Sequence, residues 1–357
     1  MGDTRAAREE GSLMQVRIRH LGVLLLVLSV LAAACGGGAA PGGGSGSGEQ
    51  GASGDAGQAK ARVAMILPGT VEDADYNFVG YEALQSLKEE LGVDVAYQER
   101  VAPADAERVA RGFINDGYNI IAFHGGQFVT TVQKLAPQFP DVNFIMESGG
   151  PMSGLPGNVW NIGRRFYEGF YGLGALGALA TKSGKIGVVL GVQLPDFVAS
   201  VNAIRQAVQE HNPDAQVVYT FVGDQNDPVK ARQAAEAQIN DGVDFIILVV
   251  NLGAQGVIEA VKGKPVLLTT YYTDKTELAP DNFTASLLTD FATPYKNVVN
   301  KILEGQRGGY EEMRPGNGMA ISEIRNVPDD VAAQVRDIFT KVAAKEIEIP
   351  EVLELPK

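Results

Sequence analysis

Gly172 to Gly177, GLGALG, has the G-x-G-x-x-G spacing of a dinucleotide-binding turn, and Asp196 stands about 20 residues beyond, where an acid could hold a ribose. Such a turn must open directly from a strand, so that pyrophosphate meets the start of the following helix. The nearest upstream strand candidate, NVWNIG (158–163), is separated from Gly172 by RRFYEGFY, which is not apolar strand. The segment FYEGFYGLGALGALATKSGK reads instead as one helix, with Leu173, Leu176 and Ala180 on one face. Gly174, Gly177 and Ala178 form a small-residue face that lets a neighbour approach closely. TKSGK has no glycine-rich loop ahead of it and is not a P-loop. The three histidines, His20, His124 and His211, are scattered, and Cys35 is the one cysteine, so neither a zinc spacing nor an intramolecular disulfide is available. No Ser/His/Asp constellation is present either. The expectation is a protein that is not an enzyme and uses no cofactor or metal.

The residues suited to binding are polar or aromatic groups just past strand ends. DADYN offers Asp73, Asp75, Tyr76 and Asn77. Asn77 is placed either to cap a following helix or to face a ligand, and the two acids either face a ligand or lie in a solvated turn. His124 with Gly125 closes one strand and Asn251 another; each is a candidate contact or an ordinary loop residue. Phe128 is a candidate aromatic wall or helix core. Tyr271 and Tyr272, beyond Thr269 and Thr270, put polar aromatics where a pocket wants a few placed polar groups. One of Gln193, Asp196 and Phe197 is expected to face the same space. Asp224 and Asp227 read as caps.

The elements that must carry these residues alternate strand and helix. Strands are predicted at 61–67, 93–98, 118–123 and 142–147, with helices at 81–92, 104–117 and 127–139. The pattern restarts with strands at 185–191, 215–222, 243–250 and 264–271 and helices at 198–213, 227–242 and 254–263. Alternation of this kind implies a parallel sheet covered on both faces. INDGYNII and INDGVDFII repeat one phrase in the two halves, each with a glycine suited to stop a helix. Two α/β lobes, each a doubly wound parallel sheet, are therefore expected to be joined by a hinge. The first spans 61–163 and is completed by about 283–320; the second spans 164–282 and is completed by about 321–357. Ligands in open α/β sheets bind beyond the carboxyl ends of strands, so facing lobes would enclose a cleft.

At −13 the chain is acidic, and residues 1–34 carry four arginines against Asp3, Glu9 and Glu10, leaving the remainder more acidic still. That charge repels phosphate backbones and excludes nucleic acid as a partner. Residues 1–34 read as a signal peptide: Arg17, Arg19 and His20 precede the apolar run LGVLLLVLSVLAAA, too short for a membrane span of ~20 residues. Translation could start at Met1 or Met14. LAAAC resembles a bacterial lipobox, which implies lipidation of Cys35 and attachment to the outer face of the cell membrane. Residues 35–60 then form a Gly/Ser-rich tether, for which a random coil spans ~25–30 Å.

Several stretches give the chain a family resemblance. DADYNFVGYEAL, FHGGQF with FPDVNFIME, YEGFYGLGALGALATKSGKIGVV and GDQNDPVKARQAAEAQINDGVDFI are similar to segments of the basic-membrane-protein, or PnrA-like, family of ABC-transporter substrate-binding lipoproteins. The resemblance runs from about Arg62 to Asp290. It implies a type I periplasmic-binding-protein fold, a purine nucleoside or nucleobase held between the lobes, and an ABC permease as partner. By matching positions, it implies that Asp73, Tyr76 and Asn77 contact the ligand, that Phe128 is a second aromatic, and that Asp274 is one acid of the loop after the last strand of the second lobe. The chain departs from the family at Gln225, where a stacking Phe precedes N-D-P, at Tyr272, where an acid holds ribose, at Thr289, where a Lys is found, and at Gly126, where Phe is common. Those departures leave a nucleoside, a free base or another planar solute open. A sensing lipoprotein without a transport role and a sugar-binding member of the fold are the alternatives.

Overall fold

The computed structural model describes residues 61–355. The expected signal peptide, the lipidated Cys35 and the tether lie outside the described residues.

The first lobe grows from β1 (Arg62–Ile66), whose last four residues are fully buried. Parallel ladders add β2 (Asp94–Gln98), β3 (Ile120–Phe123), β4 (Asn143–Ser148) and β5 (Val159–Arg164) in the order β2-β1-β3-β4-β5. Helices α1 (Tyr76–Leu91), α2 (Ala106–Asn115) and α3 (Val129–Leu135) make the crossovers. In α1, Tyr76, Gly80, Ala83, Leu84 and Leu87 are buried, the spacing of a single helical stripe. Gly92 stops that helix in the left-handed region at φ 64°.

After α4 (Phe166–Ala180) the scheme repeats with β6 (Lys185–Leu190), α5 (Pro195–His211), β7 (Gln216–Phe221), α6 (Pro228–Asn240), β8 (Phe245–Val249), α7 (Ala254–Val261), β9 (Leu267–Tyr272) and β10 (Phe283–Thr289). The strand order β7-β6-β8-β9-β10 is the same winding as in the first lobe. The repeated phrase makes the same turn twice: Gly117 and Gly242 take φ 85° and 92° at the ends of α2 and α6. Asp227 caps α6 by accepting from the Val229 and Lys230 amides.

Helix α8 (Ala292–Leu303) packs back on α1 in the first lobe, and β11 (Gly309–Pro315) extends the first sheet beside β5. The short β12 (Gly318–Ile321) pairs with both β11 and β10, so the two sheets meet in one continuous order of twelve strands. Helix α9 (Asp329–Ala343) lies against α4. The chain thus passes between lobes after β5, after β10 and after β11. The fold is the mixed α/β, mostly parallel arrangement expected, with one difference of boundary. β10, assigned from sequence to the completion of the first lobe, hydrogen bonds to β9 in the second. Its residues are buried on both faces, as an interior strand requires, and the open edge of β9 is the next partner along the chain.

GLGALG lies inside α4, and its glycines serve packing. A Cβ on Gly174 would fall 2.9 Å from Ile204 Cα and 3.0 Å from Ile204 O on α5, so main chain of one helix touches main chain of the other. Gly112 in α2 faces open space, with nothing within 4 Å of an added Cβ. The same substitution therefore has opposite signs at the two positions. Gly174→Ala is expected to lose about 1–3 kcal/mol by overpacking, while Gly112→Ala gains up to about 1 kcal/mol through helix propensity. Urea midpoints of the two variants check this; a stabilised Gly174→Ala would refute the packing account.

Candidate ligand-binding site between the lobes

In both sheets the winding reverses beside the first strand, between β1 and β3 and between β6 and β8. Loops leaving such a pair diverge in opposite directions and open a crevice at the carboxyl ends. The two crevices face each other around a cavity of about 280 Å³. The first lobe contributes Gly69 after β1, Tyr76 and Asn77 on α1, Gly126 and Gln127 after β3, and Arg164 at the end of β5. The second contributes Leu194, Asp196 and Phe197 after β6, Gln225 after β7, Asn251 after β8, and Tyr271 and Tyr272 at the end of β9.

The first loop is organised by Asp73. Its carboxylate accepts from the amides of Asp75 (2.9 Å), Asn77 (3.1 Å) and Phe78 (3.0 Å) and from Asn77 Nδ2 (2.6 Å). Free N–H groups at the helix start are met this way, so α1 begins at Tyr76, five residues before the predicted start. Asp73 itself does not line the cavity. Asn77 does, and its Oδ1 accepts from the Gly69 amide at 2.8 Å, tying the β1 loop to the helix.

Tyr76 leads to a buried cluster behind the cavity wall. Its hydroxyl donates to Glu147 Oε2 at 2.6 Å and accepts from Arg164 Nη1 at 3.0 Å. Its ring stacks on His124, with centroids 4.0 Å apart and planes 18° apart. Both His124 nitrogens face oxygens: Nε2 lies 2.8 Å from the Tyr76 carbonyl and Nδ1 2.6 Å from Glu147 Oε1. Tyr295 also donates to Glu147 Oε1, at 2.7 Å. Burial alone would push the Glu147 carboxyl up, but His124 and Arg164 hold it down at about 2. Burial, with Glu147 beside it, keeps the Tyr76 phenol well above its ordinary value and so protonated.

Two buried ion pairs cross from lobe to lobe. Arg164 Nη2 meets Asp196 Oδ2 at 3.0 Å, and Lys275 Nζ meets Asp75 Oδ1 at 2.5 Å. Thr273 Oγ1 adds a bond to the Ala74 carbonyl at 2.8 Å. Burial pushes the Asp75 carboxyl up to about 7, with Lys275 offsetting only part of the effect. Tyr272 stacks on Tyr271 at 3.9 Å and holds φ 70°, an uncommon conformation for an aromatic residue.

Of the residues expected from sequence, the cavity brings together Tyr76, Asn77, Asn251 and Tyr272. His124 sits behind Tyr76, and Gly125 precedes the turn that presents Gly126 and Gln127. Phe128 is fully buried in the first-lobe core beside Phe123. Asp274 is exposed away from the cavity and accepts from the amide and hydroxyl of Thr276. Both Asp196 and Phe197 line the cavity, where one was expected. Arg164 and Glu147 went unnoticed in the sequence; the only signal was a charged residue at the end of each of two apolar strand runs. Among the described residues no group of three or more His, Cys, Asp or Glu side chains is placed to hold a metal.

Two lobes of identical winding that clasp one cavity define a bilobal solute-binding protein. The chain belongs to the family described as ABC transporter substrate-binding protein PnrA-like, whose model matches residues 60–352. A purine-binding protein of Brucella abortus is 26% identical over 81% of this chain and 83% of its own length. Basic membrane protein A2 of Borrelia garinii is 23% identical over 81% of this chain and 88% of its own. A solved ABC transporter solute-binding protein from Conexibacter woesei matches with a TM-score of 0.68 and 25% identity, over 82% of this chain and 100% of that one. Proteins of this class act outside the cytoplasm, taking a small molecule to a permease. No described helix is long and apolar enough to cross a membrane.

The Glu147 cluster yields a stability test. Glu147→Gln leaves His124 and Arg164 short of their shared anion and is expected to cost about 3–5 kcal/mol, the usual effect of breaking a buried pair. Glu147 has a depressed folded value, so its contribution is present above 4.5 and is lost as pH falls toward about 2. The gap in urea midpoint between wild type and Glu147→Gln should therefore narrow over that interval; a constant gap would contradict the assignment.

Proposed function

We propose that the chain is a lipid-anchored receptor that binds a compact, neutral, planar solute, a purine nucleobase or nucleoside, in the inter-lobe cavity and delivers it to an ABC permease. The observation that carries this reading is the cavity wall. Tyr76, Tyr271, Tyr272 and Phe197 provide flat apolar surface, and Asn77, Asn251 and Gln225 provide amides. The charged wall residues are already answered, Arg164 by Asp196 and Glu147, which leaves little for a charged ligand to neutralise. A cavity of about 280 Å³ falls just below the usual size of small-molecule sites, roughly 300–1,000 Å³. The name of the Brucella abortus relative points to the same ligand class.

The action follows from the geometry and involves no bond chemistry. A solute touching Tyr76 on one lobe and Tyr272 on the other has its full set of contacts only when the lobes are closed. Binding then shifts the hinge equilibrium toward the closed form by that difference in contact energy. The three chain crossings confine the motion to bending about the hinge.

Thermal melting of the purified chain with adenine, hypoxanthine, guanine, their nucleosides and glucose tests the ligand class. A ligand at 100 times its Kd is expected to stabilise by about 2.7 kcal/mol. Stabilisation by glucose and by none of the purines would overturn the reading. The anchor has its own test. Cys35→Ser should move the protein from the membrane fraction to the soluble fraction, because lipidation on sulfur is what would hold it there; unchanged membrane association would refute the lipid attachment.

A further inference from the structure

Resting on the planar-solute reading, we infer that Gln225 is the residue that reads the in-plane edge of the ligand, and that it selects a ring bearing an adjacent hydrogen-bond donor and acceptor.

Two other amides of the wall, Asn77 and Asn251, have prior engagements. Asn77 is bound at both ends, donating to Asp73 and accepting from the Gly69 amide. Asn251 Oδ1 accepts from the Tyr271 hydroxyl. Gln225 differs: its Oε1 and Nε2 are both buried, and neither has a partner among the described residues. An amide in that condition costs free energy until something supplies an acceptor and a donor together.

Its placement is rigid. The Gln225 carbonyl accepts from the Asn251 amide at 2.9 Å and the Gly253 amide at 3.1 Å, so the loops after β7 and β8 are locked to each other. The side-chain amide lies over Gly191 at the end of β6, where an added Cβ would fall 2.3 Å from Gln225 Cδ. Glycine at 191 is what makes room for the amide beside the cavity.

A carboxamide presents one donor and one acceptor side by side. Its complement is a lactam edge (N–H beside C=O) or an amidine edge (ring N beside NH₂). The amide can turn over to meet either, so 6-oxo and 6-amino purines both fit, whereas unsubstituted purine leaves half of it unmet. Glutamine pairs with adenine edges in this two-bond manner elsewhere, at a discrimination of about 10- to 100-fold.

The test is a double-mutant cycle between side chain and ligand edge, by calorimetry on the purified full-length chain with hypoxanthine, adenine and unsubstituted purine. Wild type is expected to prefer hypoxanthine and adenine over purine by about 10- to 100-fold. Gln225→Leu should remove that preference, lowering affinity for hypoxanthine and adenine by about 10- to 100-fold more than for purine. Gly191→Ala, which displaces the amide without altering it, should remove the preference too, and far-UV circular dichroism of both variants checks that they fold. Preference retained in folded Gln225→Leu, or absent from wild type while purines still bind, overturns the role of Gln225 and leaves the planar-solute reading standing. A wild type that binds none of the three bases nor their nucleosides overturns both.

Discussion

Glu147 is the group on which the arrangement of the cavity depends. A carboxylate with no exposure to water needs compensation from every side, and here it comes from His124, Arg164, Tyr76 and Tyr295, drawn from three elements of the first lobe and the loop after β3. Because each partner must reach the same two oxygens, their rings and guanidinium are fixed before any ligand arrives. Tyr76 is held flat against His124, and Arg164 is aimed across the gap at Asp196. The wall that faces the solute is therefore the outer surface of an ion cluster that the fold must satisfy for its own sake.

That coupling links packing to function. The side chains that meet a ligand have little freedom left to lose, which lowers the entropic cost of binding. The ion pairs that cross between lobes work the other way, since each closes at the cost of removing a charge from water on both sides. Of the two pairs, Arg164–Asp196 lies on the cavity wall: Arg164 and Asp196 both line the cavity and join the lobes.

The local and periodic features could be read in the sequence. Strand–helix alternation gave two lobes, the eight residues ahead of Gly172 argued against a nucleotide turn, and the paired INDG phrases anticipated two equivalent helix ends. Tyr76, Asn77, Asn251 and Tyr272 could be placed at the cavity because each follows a strand that points into it. What could not be read depends on contacts distant in sequence. Arg164 meets Tyr76 across 88 positions and Lys275 meets Asp75 across 200, and no spacing rule connects such residues. Asp73 was read as a ligand contact or a solvated acid, whereas its oxygens are taken up by the start of α1. The place of β10 was equally hidden: a strand buried on both faces looks the same in sequence whichever sheet receives it.

The exchange of elements after β10 has a genetic consequence. Neither lobe is a continuous segment: the first recovers α8 and β11 from the far side of the second, and the second takes back β12 and α9. No single cut in the chain yields two whole halves. Gene fragments encoding the front or the back of the molecule would each carry an unfinished sheet with a raw edge.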